Sequence, residues 1–434
     1  MSRSLPERPD IEFFRKQAKN LHSAQCKGDS TVCDTLRLLH RFKNATDKEI
    51  LAADVKLNEV QFALALDYGF NSWDALKHHV ENLKVMTPAL VNRANGEVHI
   101  EGIPRFSWGN GKDCSVIASI TSAARAMGDN ITYDELMGFS GAAFRVHFFL
   151  NDPGSCPSSS DVTCGFDCSY PAITSLGYTA QGYGSDPKNP EDIKRIRKLV
   201  VNSIDAGRPV VAIDLIQMPE WGVITGYKDD GKVFLCQTYF NKSDDYEPAQ
   251  KWPWVIIVIN GKKDAPNRRE IVLKSLDLAV ELANTEKYEV YASGFAAYEK
   301  WIGLLQNEKR FKSLTEDQLP SQTLTNAVCY YRLVDARSSA ARYLESVRSH
   351  FNPKASAHVT KAANLYCKVA EKLANGMKFA PFPGQSEGGK LWNKDMRQAE
   401  IEILNDVILL EKNAINELSD VVKIERAELE VKGR

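Results

Sequence analysis

The sequence has no charge of one sign to spare: 55 lysines and arginines face 56 aspartates and glutamates, a formal net charge of −1. That balance gives no charge-level ground for a nucleic-acid partner. Long apolar runs are missing too. The strongest, Trp252 to Asn260, falls far short of the ~20 residues that span a bilayer, so no membrane partner is expected. The opening, Met1 to Asp10, has no apolar stretch of the kind a secretory signal needs, and a cytoplasmic chain is the expectation. The nine cysteines are scattered and odd in number, which argues for reduced thiols rather than a disulfide framework. Gly-rich phosphate loops are absent, since Gly109-Asn110-Gly111 lacks a third glycine and a lysine–serine pair. Histidine is absent between His147 and His350.

What is present is an ordinary globular composition, 43% hydrophobic and 26% charged, over 434 residues, a soft prior for about three domains. Residues 1–88 read as a helical module. Ile11 to Leu21 carries Phe13, Phe14, Ala18 and Leu21 behind the candidate cap Asp10, Asp34 to Phe42 reads as a second helix, and Glu59 to Asp67 and Trp73 to Leu83 follow. Residues 95–264 are mixed. Helices are expected over Cys114–Met127, Tyr133–Met137, Tyr170–Leu176 and Pro190–Ala206, and strands over Val98–Ile103, Pro209–Leu215, Gly222–Tyr227, Lys232–Gln237 and Trp254–Ile259. Asp229-Asp230-Gly231 marks a hairpin. Early helices followed by late strands make this an α+β pattern. Residues 267–434 are helical, with Phe379 to Gly384 and Gly388-Gly389 marking a loop, and Glu411 to Lys432 reading as a solvated bundle helix.

The leading candidate for chemistry is Cys114, which a Gly109-Asn110-Gly111 loop delivers to the first turn of a helix. There the helix dipole and free N–H groups lower a thiol's pKa and can hold an oxyanion, with Asp113 as the cap. The alternative is a small core residue at a helix start. Asn110 in the loop is a substrate-contact candidate. A thiol nucleophile wants a base, and His147 follows within Phe144 to Phe149, where alternation puts Arg145, His147 and Phe149 on one strand face. Arg145 is an anion-binding candidate there, with a structural salt bridge as the alternative. Cys156, Cys164 and Cys168, with Asp161 and Asp167, contain thiolate ligands of the type zinc favours. Their spacing is not a paired C-x-x-C, so no metal is assigned, and a loop over the cleft, led by Asp152-Pro153-Gly154-Ser155, is preferred. No cofactor is expected.

Lys112-Asp113-Cys114 opening a helix, then Gly207-Arg208-Pro209-Val210, then Glu220 to Tyr227 ending in Gly226-Tyr227, then Val233 to Thr238, resemble the papain-like cysteine peptidase superfamily. The resemblance is to the branch containing bacteriocin-processing peptidase domains and the butirosin-biosynthesis acyltransferase type. It implies a papain-like α+β domain, with Val290 to Trp301 and the helices after it similar to the helical portion of the acyltransferase type. Arg15 to Lys19, Gly28-Asp29 and Gln61 to Trp73 resemble a helical module found ahead of bacterial ankyrin-type domains, with Phe70 and Trp73 read as core.

The resemblance implies Cys114 as nucleophile, with Glu220 where the family has its histidine and Gln237 at the position of the third member. Trp221, beside Glu220, is the aromatic expected to touch a ligand. Two functions follow. One is a cysteine-dependent transferase or hydrolase acting on a small-molecule, peptide or carrier-bound acyl substrate, with thioesters favoured because their leaving group needs less acid help. The other is an inactive domain that binds a peptide or small molecule.

Overall fold

The computed structural model describes residues 11–70, 72–74, 76–77, 90–94, 96–151, 156–243, 245–262, 267–384 and 392–432. The expected cap Asp10, most of the Trp73–Leu83 helix, the Asp152–Ser155 turn and Gly388-Gly389 lie outside them. The chain divides into two compact units, Met1–Thr87 with Gly128–Asn130, and the remainder.

In the first unit, α1 (Ile11–Cys26), α2 (Cys33–Leu36), α3 (Asp47–Ala52) and α4 (Leu57–Asp67) enclose Phe14, Ala18, Leu36, Ile50, Val60 and Leu64. The helix expected over Asp34–Phe42 is broken: α2 ends at Leu36, and a 3₁₀ turn follows at His40–Phe42. The reason is the period. Leu36, Leu39 and Phe42 are all buried at a spacing of three, which suits tight turns better than an α-helix. Helix α3, not anticipated, starts at a capping box in which Thr46 N–H donates to Glu49 Oε2 at 2.8 Å.

The second unit is built on an antiparallel sheet. Its strands are β1 (Val91–Ala94), β2 (Glu97–Ile100), β4 (Tyr178–Gly184), β5 (Val210–Ile213), β6 (Trp221–Lys228), β7 (Val233–Gln237), β8 (Glu247–Pro248) and β9 (Val255–Lys262). The order is β1-β2-β6-β5-β9-β4, with β7 pairing β6 and β8. A smaller sheet runs β10 (Lys287–Tyr288), β11 (Tyr291–Ser293), β3 (His147–Phe149). The main sheet is covered on both faces, which explains its unbroken apolar runs. Val211, Ile213, Ile257 and Ile259 face one core with α5 (Ser115–Ala126) and α6 (Tyr133–Phe139). Val210, Ala212, Ile256 and Val258 face another, closed by Ile196, Val200 and Ile204 of α8 (Pro190–Asp205). Gly226 in β6 is required by sterics: a Cβ there would run into Val98 O and the His99 Cβ on β2. The hairpin at Asp229-Asp230-Gly231 forms, with all three residues at positive φ.

The helices after Pro266 are α9 (Arg268–Asn284), α10 (Gly294–Leu305), α11 (Glu308–Ser313), α12 (Gln318–Val347), α13 (Pro353–Gly376) and α14 (Lys394–Lys432), and α7 (Ser169–Ser175) lies earlier in the chain. They share a core with the mixed segment, since Ile117 and Val223 belong to the same cluster as Tyr343, Tyr366 and Leu418. A buried ion pair fastens them: Arg337 on α12 donates to both carboxylate oxygens of Glu411 on α14, at 2.6 and 2.9 Å, and to the carbonyls of Ala143 and Arg145. Glu411 is therefore core, against the solvated face expected for that stretch. Among the described residues, no helix is long and apolar enough to cross a membrane.

Candidate functional site

The site begins at the amino end of α5. Gly109 and Gly111 both have positive φ, letting the preceding loop turn sharply. Asp113 does not cap the helix. Its Oδ1 accepts from Gly109 N–H at 2.7 Å and braces the loop, and Cys114 holds the cap position instead. Asn110 is exposed and donates to Ser107 Oγ at 2.5 Å, within the same loop.

Cys114 is 7% exposed and lines a cavity of ≈ 40 Å³, room for a few waters. Arg145, His147, Ser160 and, from α12, Cys329 and Arg332 line it as well. The expected low thiol pKa is not found. Burial pushes the thiol far above its ordinary value; the Ile117 backbone N–H and the Arg332 guanidinium pull it down, while Asp335 and Asp161 push it further up. Desolvation here outweighs the helix terminus, and the resting group is a protonated thiol. The Cys114 N–H is also engaged, donating to the Tyr133 hydroxyl at 2.9 Å.

Glu220 stands at the end of the loop from Asp214, which closes through Asp214 N–H to Glu220 O at 3.2 Å. Its side chain is held at both oxygens. Arg332 Nη2 donates to Oε1 at 2.5 Å, and Ser115 Oγ donates to Oε2 at 2.5 Å. Ser115 in turn accepts from Trp221 N–H at 3.3 Å, so the residue after the cysteine ties α5 to the start of β6. Arg332 Nη1 donates to Ser160 O and Oγ, each at 3.0 Å. Burial works against the Arg332 charge, yet Glu220 and Asp161 raise its pKa overall. Its Nε finds no acceptor.

Trp221 is buried, and its Nε1–H donates to Asp161 Oδ2 at 3.0 Å, a structural latch on the Cys156–Cys168 segment. Arg145 holds the same segment, donating to the carbonyls of Val162 (2.7 Å), Phe166 (2.5 Å) and Cys164. Its Nη1 and Nη2 are engaged by these backbone carbonyls, and its Nε has no partner among the described residues. His147 begins β3 with Nε2 3.1 Å from Ser158 O, and burial, then Arg145, hold its pKa well below the ordinary imidazole value. It is neutral and structural in this state. Gln237 is buried on β7 opposite Val223, with Oε1 receiving no hydrogen bond, and it does not line the cavity. Among the described residues, no group of three or more His, Cys, Asp or Glu is placed to hold a metal ion.

The structure thus brings Cys114, Arg145 and His147 to one cavity, with Glu220 linked to it through the lining residue Arg332. Asn110 and Gln237 are not in its lining. Sequence reasoning missed Arg332, Asp335, Tyr133 and Ser115. Asp335 lies one turn beyond Arg332 on α12, and its Oδ2 accepts from the Tyr133 hydroxyl at 2.5 Å. Burial raises its pKa, against the Tyr133 hydrogen bond, to about 7. The available signal was an Arg and an Asp three residues apart in the apolar-flanked run Tyr330-Tyr331-Arg332-Leu333-Val334-Asp335-Ala336.

No protein-family model matches the chain, and no curated protein matches it at a significant level.

Proposed function

We propose that this chain is a papain-like α+β protein that transfers or hydrolyses activated acyl groups through Cys114. One observation carries the reading: Cys114 stands at the amino end of the sheet-packed helix α5 and lines a cavity that Arg332 also lines. An antiparallel sheet whose β6 bears Gly226-Tyr227, with Gly226 fixed by the crossing of β2, agrees with the resemblance. The chemistry would be nucleophilic: Cys114 Sγ forms a bond to the acyl carbon, the oxyanion is stabilised, and the leaving group departs. Arg332 suits the oxyanion, because its buried Nε donor is left without an acceptor. Glu220 serves as a positioning residue that fixes Arg332 and Ser115. A protonated resting thiol and a neutral His147 disfavour ordinary peptide hydrolysis, which needs a cationic acid for the leaving amine. A thioester has the better leaving group.

A second reading, a ligand-binding domain without turnover, is favoured by one observation: the Cys114 N–H, a natural oxyanion donor, is already taken by Tyr133. Cleavage of a set of short-chain acyl thioesters, followed by release of free thiol, separates the two. Turnover by the parent chain that is lost in Cys114→Ala supports acyl transfer. Saturable binding of the same thioesters with no thiol released supports the binding domain.

A further inference from the structure

Among the described residues three arginines are buried: Arg145 (4% exposed), Arg337 (0%) and Arg397 (6%). Two of them carry a carboxylate partner, Arg337 with Glu411 at 2.6 Å and Arg397 with Glu308 at 2.9 Å. Arg145 has no carboxylate partner among the described residues. Its Nη atoms donate to the carbonyls of Val162, Phe166 and Cys164, and its Nε is buried and unpartnered. The acids of the segment it holds are engaged elsewhere. Asp161 accepts from Trp221 Nε1–H at 3.0 Å and from Thr163 N–H at 2.9 Å, and Asp167 accepts from Ser169 N–H at 2.8 Å. A buried cation without a counter-ion is costly, and proteins pair the charges they bury. An unpartnered Nε alone says little, since Arg397 has one too; the missing carboxylate, together with a place in the cavity wall, sets Arg145 apart.

That wall also holds Cys114, and no aspartate or glutamate lines it among the described residues. Its other cation, Arg332, is already neutralised by Glu220. The lining therefore has one positive charge to spare, which suits a monoanion. The ≈ 40 Å³ volume holds about three waters at ~10–15 Å³ each, the space of a carboxylate's three heavy atoms and less than a tetrahedral phosphate needs.

We infer that the cavity is a carboxylate site, in which Arg145 Nε–H donates to the far carboxylate of a short acyl group whose near carbonyl Cys114 attacks. The inference rests on the acyl-transfer reading above and names its substrate class: a thioester of a small dicarboxylic acid, malonic acid being the shortest that forms one stably. Arg332 takes the oxyanion and Arg145 selects the charge at the other end. Sγ bonds to the acyl carbon, the carbonyl electron pair moves onto oxygen, and collapse expels the leaving thiol with the proton that Sγ loses. Water or a second nucleophile then takes the acyl group.

The test uses the full-length chain in two measurements. The first is the thermal midpoint with acetate, acetamide or inorganic phosphate added at equal ionic strength. Acetate should raise it; acetamide, of the same shape without charge, and phosphate should not. The second is kcat/KM for malonyl- and acetoacetyl-N-acetylcysteamine, which differ by a methyl group in place of the charged oxygen. The parent should prefer the malonyl thioester by at least about tenfold, the worth of one charge-assisted hydrogen bond. In Arg145→Gln the ratio should fall toward one, and Arg145→Lys should restore part of it. A ratio taken on one sample does not depend on the fraction folded, and if neither variant folds the two parent measurements decide. Equal rates on the two thioesters in the parent, an unchanged ratio in Arg145→Gln, or a midpoint raised as much by acetamide or phosphate overturns the carboxylate site. A midpoint raised by acetate alone, with neither thioester cleaved, supports the carboxylate site and overturns the acyl-transfer reading.

Discussion

Arg332 and Glu220 form a largely buried ion pair, 2.5 Å from Nη2 to Oε1, between α12 and the strand start where a base was expected. Their side chains are only 13% and 12% exposed. Such a pair is worth little against an apolar substitute, but losing one partner strands the other charge. Glu220→Gln or Arg332→Met should each destabilise the chain by about 3–5 kcal/mol. The double variant should recover most of that loss. Urea midpoints of the four proteins check it, and additive losses would show that the two groups do not act on each other.

Arg337 and Glu411 make the same case in a deeper place. Arg337 is fully buried and Glu411 is 3% exposed, and Tyr298 donates to the same carboxylate at 2.8 Å. Glu411→Gln should cost more than Lys423→Gln on the exposed surface, by about 3 kcal/mol. Equal thermal midpoints for the two variants would remove the pair from any role in joining α12 to α14.

Two carboxyls set a pH slope. Burial raises Asp335 to about 7 and Glu400 to about 8, so the folded chain holds protons that the unfolded chain releases near pH 4. The stabilisation from these protons is complete below the unfolded values and is lost as pH rises through the folded ones. The contribution of these two groups to the thermal midpoint should decline from pH 5 to pH 8. Asp335→Asn and Glu400→Gln should each flatten the decline, and a slope unchanged in both would remove these carboxyls as its cause.

Thiol exposure gives an order of labelling. Cys26 and Cys367 are exposed, while Cys33, Cys114, Cys168, Cys236 and Cys329 are buried. In the native chain at pH 6, iodoacetamide should modify Cys26 and Cys367 well before Cys114. Selective early labelling of Cys114 would mean an open, ionised thiol, contrary to the burial seen here.

Much of the scaffold was legible, because periodicity and turn chemistry are local. The helix expected over Pro190–Ala206 forms as α8 (Pro190–Asp205), and the Asp229-Asp230-Gly231 turn stands where turn chemistry put it. Strand β4 escaped notice because its sequence, Tyr178 to Gly184, carries two glycines and little apolar alternation; pairing with β9 creates it. The site was half legible. Cys114 is marked by the loop and helix start that deliver it. Its thiol pKa is not, since burial by α12 comes from residues some 200 positions later, among them Arg332 and Asp335. A separation of 112 positions hides the partner of Glu220, and a carboxylate read alone looks like a base until its arginine is found.

The nucleophile can be located directly. The full-length chain is incubated with an activated acyl thioester, quenched in acid, digested, and mapped for the mass of one added acyl group. The acyl group is expected on the peptide that contains Cys114, and it should vanish in Cys114→Ala while the other eight thiols stay unmodified. Acyl mass spread over the exposed cysteines, or retained in Cys114→Ala, would contradict the assignment.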